Sequence, residues 1–188
     1  MKYEDAAKRL GALRKEMAKL RKDMQKVRKA AKPQEVEDYT FTRASGEPVK
    51  LSELFGKKDH LFMIHNMGAS CPYCTLWADG FNGVNGHLQN SAAFVVSSPD
   101  EPAKQTKFAA SRGWKFPMVS HLGTSFAKDM GYAEGDRFYP GVSVMIRKNG
   151  KILRVSDTAL HPGDDFCSIW HFLDMIPDKP DWQPKFAY

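Results

Sequence analysis

Two cysteines three residues apart, Cys71-Pro72-Tyr73-Cys74, follow closely on the apolar run Leu61-Phe62-Met63-Ile64. That order constrains the chain to a core strand, a short loop, and a helix that opens on the first thiol. A thiol at a helix start faces unsatisfied backbone N–H groups and the positive end of the macrodipole. Both favour the thiolate, which is the nucleophile in disulfide exchange. Pro72 suits the first helical position, where its missing N–H costs nothing and its fixed φ is already helical. Cys74 then sits one turn inside and can close onto Cys71. The competing reading is half of a structural zinc site, which needs four ligands. The chain has three cysteines in all, no second C-x-x-C and no H-x-x-x-H, with His65 close by. No metal and no cofactor is expected.

The formal charge of +6 becomes informative once it is divided. Residues 1–33 carry twelve Lys and Arg against four acids, and the remaining 155 residues carry sixteen against eighteen. The basic character therefore belongs to the N-terminal segment. Tyr3, Ala6, Leu10, Leu13, Met17, Leu20, Met24, Val27 and Ala31 recur in that segment at spacings of three and four. Such an a/d seam, sustained over four heptads, predicts a helix over residues ~3–31 that ends before Pro33. A narrow seam suits one partner helix, so residues 1–33 read as a dimerisation or docking arm and the chain as a homodimer through it. The Lys/Arg face could also serve nucleic acid or acidic lipid, but no aromatic interleaves the bases after Tyr3, and nucleic acid is not the expected partner. The first thirty residues are too charged for a secretory h-region, and no apolar run approaches a membrane span. A cytoplasmic protein without membrane contact is the expectation.

Residues 34–188 read as one α/β domain. Asp38–Thr42 and Val49–Leu51 flank a turn at Ala44–Pro48, predicting a hairpin, and Ser52 can cap a helical turn to Phe55. Strands are predicted over Leu61–Ile64, Ala92–Ser97 and Phe116–Ser120. Helices are predicted from Cys71 to about Leu88, over Glu101–Arg112 and over Thr124–Met130. Gly80, Gly83 and Gly86 predict either a break in the first of these helices near Gly80 or close packing there. Val142–Arg147 and Lys151–Val155 flank Asn149-Gly150, the strongest short hairpin signal in the chain. Asp164 is the expected cap of a last helix reaching Met175. The order implies a mixed sheet with helices on both faces.

This order, with C-P-Y-C after the first long apolar strand and a strand–N-G–strand hairpin before the last helix, resembles the thioredoxin superfamily. The words His65-Asn66-Met67-Gly68-Ala69-Ser70-Cys71-Pro72-Tyr73-Cys74 and Trp77-Ala78-Asp79-Gly80-Phe81-Asn82-Gly83 are similar to an uncharacterised bacterial thioredoxin-like family. Gly113-Trp114-Lys115-Phe116-Pro117 and Pro140-Gly141-Val142-Ser143-Val144 also fit that family, which is often labelled predicted dithiol-disulfide oxidoreductase. The resemblance covers nearly the whole chain. It implies a thioredoxin-like fold with a peroxiredoxin-like layout and dithiol chemistry, but no substrate. The peroxide-site pattern P-x-x-x-T-x-x-C is absent: counted back from Cys71 its places hold Ile64 and Gly68, and from Cys74 they hold Met67 and Cys71. Gly163-Asp164-Asp165 is similar to a glutaredoxin loop that contacts glutathione, although helix capping explains the aspartates. The proline that faces the dithiol in thioredoxins falls on Val142 here. The nearest proline is Pro140, so either Tyr139–Pro140 is cis or the docking backbone differs.

Roles follow. Cys71 is the expected nucleophile and Cys74 the resolving thiol. His65 stands six residues before Cys71, where thioredoxins place a buried acid, and is either a proton acceptor for Cys74 or a core histidine. Pro72, Tyr73, Pro140 and Val142 are expected to shape substrate access. Trp77 and Phe81 read as core, Asp79 as a salt-bridge or capping residue, and Cys167 as an inert helix residue. The leading expectation is a thiol–disulfide oxidoreductase acting on a disulfide-containing protein or a small thiol. The alternatives are a redox-sensing or interaction protein whose basic arm binds a partner, and a thiol peroxidase lacking the usual signature.

Overall fold

The strong helix formers of the N-terminal segment form a single helix, α1 (Tyr3–Ala30). Glu4 and Asp5 lie in its first turn and Arg28 and Lys29 in its last, each complementing the macrodipole. The computed structural model describes residues 1–178 and 181–187 and divides the chain into two compact units, Met1–Pro33 and Gln34–Tyr188. None of the α1 residues is buried. No helix among the described residues is long and apolar enough to cross a membrane.

The second unit begins with β1 (Gln34–Val36), a three-residue strand below the length at which alternation is readable. The expected hairpin follows as β2 (Thr40–Arg43) and β3 (Pro48–Lys50), with Phe41 opposite Val49. The helical turn α2 (Leu51–Leu54) is entered from Lys50, whose N–H donates to the Glu53 carboxylate at 2.7 Å. Ser52 is therefore not the cap; its hydroxyl donates to Asp38 at 2.8 Å. Strand β4 (His60–His65) leads into α3 (Pro72–Ser91), and β5 (Ala93–Ser98) into α4 (Pro102–Arg112). The short pieces β6 (Met118–Ser120) and α5 (Phe126–Asp129) come next. A small ribbon of β7 (Ala133–Glu134) and β8 (Arg137–Phe138), too short to be foreseen, precedes the long hairpin. That hairpin is β9 (Gly141–Lys148) and β10 (Lys151–Ala159), turning at Asn149 and Gly150 with both φ positive, as an Asn-Gly turn requires. The last helix, α6 (Ser168–Leu173), starts four residues after Asp164 and is shorter than expected.

The eight main strands run in the order β1-β10-β9-β4-β5-β6-β2-β3. The β4–β5 and β5–β6 pairs are parallel and all other neighbours antiparallel. Side chains alternate across this sheet into two cores. Leu61 and Met63 of β4 join Phe126, Tyr132 and Met145 on one face, and Ile64 joins Trp77, Phe81 and Val142 on the other. Helix α3 packs on the second face through Trp77, Ala78 and Phe81, and this burial carries it unbroken through its three glycines. A Cβ at Gly80, Gly83 or Gly86 would meet nothing within 4 Å, so close packing is not their reason either.

Candidate active site

The C-terminal end of β4 and the first turn of α3 bring the two thiols together. Cys71 is the N-cap of α3, with extended backbone, and its Sγ accepts the Cys74 N–H at 3.0 Å. Pro72 occupies the first turn as foreseen. The Cys71 carbonyl accepts both the Thr75 N–H and the Thr75 hydroxyl, each at 3.0 Å. Both thiols are free and largely enclosed, Cys71 at 8% exposure and Cys74 at 3%. A hydrogen bond with the Cys74 thiol draws the Cys71 pKa from 9.0 down to about 7; the N–H groups of Cys74 and Tyr73 assist and burial opposes. The same thiol–thiol bond, with burial and the neighbouring negative charge, pushes Cys74 far above the ordinary thiol range. One sulfur is thus made a thiolate near neutral pH and the other is held protonated beside it.

The loop into Cys71 is clamped. Asn66 Oδ1 accepts the Gly68 N–H at 2.8 Å, and an Asp100 carboxylate oxygen accepts the Ala69 N–H at 2.6 Å. The second oxygen of Asp100 accepts from Lys104 at 2.5 Å. Gly68 has φ +104°, and a Cβ there would lie 2.8 Å from the Asp100 carboxylate. Neither Asp100 nor Thr75 stands out in the sequence. The Thr75 position, four after the cap, was the readable signal; Asp100 lies too far along the chain.

His65 is brought to the site's edge but turned away from it. It borders a narrow crevice with Asn66, Cys74 and Pro140. Its ring, however, stacks on Tyr132 at 3.8 Å and on Phe126 at 5.3 Å, and Nε2 meets the Ser143 hydroxyl at 2.9 Å. Those partners belong to the sheet face opposite α3, so the imidazole is a core group and no hydrogen bond joins it to Cys74. Of the two readings of His65, proton acceptor or core histidine, these contacts favour the core histidine. Burial, with His121 and Arg154 nearby, holds its pKa well below 6.5. Burial also lowers His121 to about 4. Both imidazoles thus take up protons more readily in the unfolded chain. Stability should be full above pH 6.5 and fall as pH drops below it, by up to about 1.4 kcal/mol per pH unit for each histidine. Urea unfolding midpoints at pH 7 and 5 measure this; equal midpoints would refute it.

The access residues separate. Tyr73 is half-buried, with its ring 6.3 Å from Trp77 and 6.1 Å from Trp170. Pro140 stays beside Cys74, its carbonyl accepting the Leu160 N–H at 3.0 Å. No peptide bond among the described residues is cis, so Tyr139–Pro140 is trans and the docking backbone is a different one. Val142 is buried, paired with Ile64 and Thr158 in the sheet, and is core rather than an access residue. Asp164 caps no helix: it accepts from Trp77 Nε1 and from the N–H groups of His161 and Phe166. A carboxylate engaged in this way ties the 161–166 loop to α3. Beside it lies a cavity of about 440 Å³ bordered by Gly163, Trp170 and Trp182. Asp79 pairs with Arg112 and accepts from Trp114 Nε1, binding α3 to α4. Trp77 and Phe81 are core, and Cys167 is a buried residue at the cap of α6 whose thiol pKa burial raises. Among the described residues no group of three His, Cys, Asp or Glu is placed to hold a metal.

The model of a family described as bacterial protein of unknown function (DUF899) matches residues 1–182. No curated protein matches the chain. Among solved structures, the peroxidoxin BcpB of Mycobacterium tuberculosis is similar at 24% identity and a TM-score of 0.57, over 68% of this chain and 84% of that one. A cysteine variant of PrxQ from Xylella fastidiosa reaches a TM-score of 0.61 at 12% identity, over 76% and 94%. A Bacteroides thetaiotaomicron solution structure, provisionally called a protein disulfide isomerase, matches at 25% identity and a TM-score of 0.53, over 75% and 86%. The fold is thioredoxin-like with a peroxiredoxin-like layout.

Proposed function

We infer that this chain, which belongs to the family of bacterial proteins of unknown function (DUF899), is a thiol–disulfide oxidoreductase working through Cys71 and Cys74. The observation that carries the reading is the Cys71 sulfur at the cap of α3, accepting the Cys74 N–H and drawn toward a neutral pKa. The provisional name of the Bacteroides structure supports the same class. In the reducing direction the Cys71 thiolate attacks one sulfur of a substrate disulfide, forming a mixed disulfide and expelling the other sulfur as a thiolate. That thiolate takes up the Cys74 proton. The Cys74 sulfur then attacks Cys71 Sγ, closing the Cys71–Cys74 disulfide and releasing the second substrate thiolate. Two electrons leave the dithiol and enter the substrate, and a thiol donor returns them. Tyr73, half-buried between the two cysteines, and Pro140, beside Cys74, are the residues that shape access to the dithiol in this reading. Cytoplasmic location fits a resting dithiol.

Alkylation by iodoacetamide tests the reading. The Cys71 rate should rise through a midpoint near pH 7 while Cys74 stays unlabelled in the folded protein, and mild oxidation should yield a Cys71–Cys74 disulfide by mass spectrometry. A Cys71 midpoint near 9, or no such disulfide, would sink the assignment.

A further inference from the structure

Helix α1 leaves its apolar seam without a partner within its own unit. Leu10, Leu13, Met17, Leu20, Met24 and Val27 are all exposed, Leu20 at 62% and Val27 at 70%. A continuous exposed apolar seam of this kind normally marks an interaction surface. The heptad frame set by that seam sorts the charges. Lys8, Lys15, Lys22 and Lys29 all fall at the outermost position, f. Arg14, Arg21 and Arg28 fall at e, and Arg9, Glu16 and Asp23 at g. Residues at e and g flank the seam and set partner and direction.

We propose that α1 forms a parallel, in-register two-stranded coiled coil with α1 of a second copy of this chain. In that arrangement each g residue faces the e residue five positions later in the other copy. Glu16 then meets Arg21 and Asp23 meets Arg28, in both directions, giving four interhelical ion pairs. Only Arg9 and Arg14 are placed as a like-charged pair. An antiparallel arrangement sets e against e, where every residue from 14 onward is arginine, and g against g, where Glu16 meets Glu16 or Asp23. Asp23 already bonds Lys26 along its own helix at 2.8 Å, an exposed pair that exchanges at little cost. The lysines at f remain in water, which accounts for a strongly basic segment that need not touch nucleic acid.

Sedimentation equilibrium of the full chain should return twice 21.2 kDa. Leu13→Glu with Leu20→Glu should return the monomer with the Cys71 alkylation profile unchanged. The pair Glu16→Arg, Asp23→Arg should raise the dimer dissociation constant about tenfold or more, and so should Arg21→Glu, Arg28→Glu. Mixed together, these two chains should recover a heterodimer. Leu20→Cys in a chain whose Cys71, Cys74 and Cys167 are serine should cross-link to its own copy on oxidation. A monomer at micromolar concentration, a higher oligomer, no recovery on mixing, or cross-linking of Leu20→Cys only to Leu10→Cys would each overturn the proposal. So would a monomer whose arm is engaged only by duplex DNA or by anionic phosphatidylserine vesicles.

Discussion

Cys71→Ser should lower the rate of insulin disulfide reduction by about three orders of magnitude or more, because no other thiol near the α3 cap can be the attacking sulfur. Cys167 is buried with a raised pKa and cannot substitute. Cys74→Ala should behave differently. The Cys71 sulfur retains the N–H groups of residues 73 and 74 but loses the Cys74 thiol, the largest influence lowering its pKa. Its alkylation midpoint should therefore move upward from about 7. Attack on substrate still occurs, but nothing resolves the adduct, so a mixed disulfide should accumulate at one per chain and turnover should stop. Trapping that adduct from a lysate and identifying it by mass spectrometry would name the substrate. A Cys71→Ser protein that still reduces insulin would dismiss the dithiol mechanism. An unaltered chain that consumes hydrogen peroxide rapidly while leaving insulin intact would favour the peroxidase alternative, against the missing Pro and Thr of that signature.

What was readable in the chain was what local chemistry dictates. C-P-Y-C after an apolar run fixes strand, loop and capped helix, because the proline and the thiol each suit one position only. Asn149-Gly150 fixes the hairpin for the same reason, both residues tolerating positive φ. Three-residue strands such as β1 and β6 hold too few side chains to show a period. Glycines at 80, 83 and 86 misled because helix propensity is weak beside the burial of Trp77 and Phe81. His65 shows a different limit. Its spacing from Cys71 matches a buried acid in thioredoxins, but spacing along a strand does not say which face a side chain takes. In β4 the neighbour Ile64 faces α3, so His65 must face away. The Asp100 clamp on Ala69 joins residues 31 apart, and only the parallel pairing of β4 with β5 brings them together.

Gly141→Ala should be the most damaging single methyl in the fold. An ideal Cβ at residue 141 would stand 1.9 Å from Tyr132 Cε1 and 2.6 Å from Cζ, well inside any real contact. The glycine cannot back away, because it is paired on one side with His65 and on the other with Ala159. Tyr132 cannot swing out cheaply either: its ring is buried and stacked on His65 at 3.8 Å. Overpacking plus loss of that stack should cost about 3 kcal/mol and lower Tm by roughly 10 °C in a chain of this size. Removing the obstacle should return part of the loss, so Gly141→Ala combined with Tyr132→Leu should cost less than the two changes added. The Cys71 alkylation midpoint in the folded fraction should stay near pH 7, because Tyr132 and His65 lie across the sheet from α3. A midpoint that moves with the damage to Tyr132 and His65 would instead make the imidazole part of the thiol chemistry, and full additivity would mean the obstacle is not the tyrosine ring.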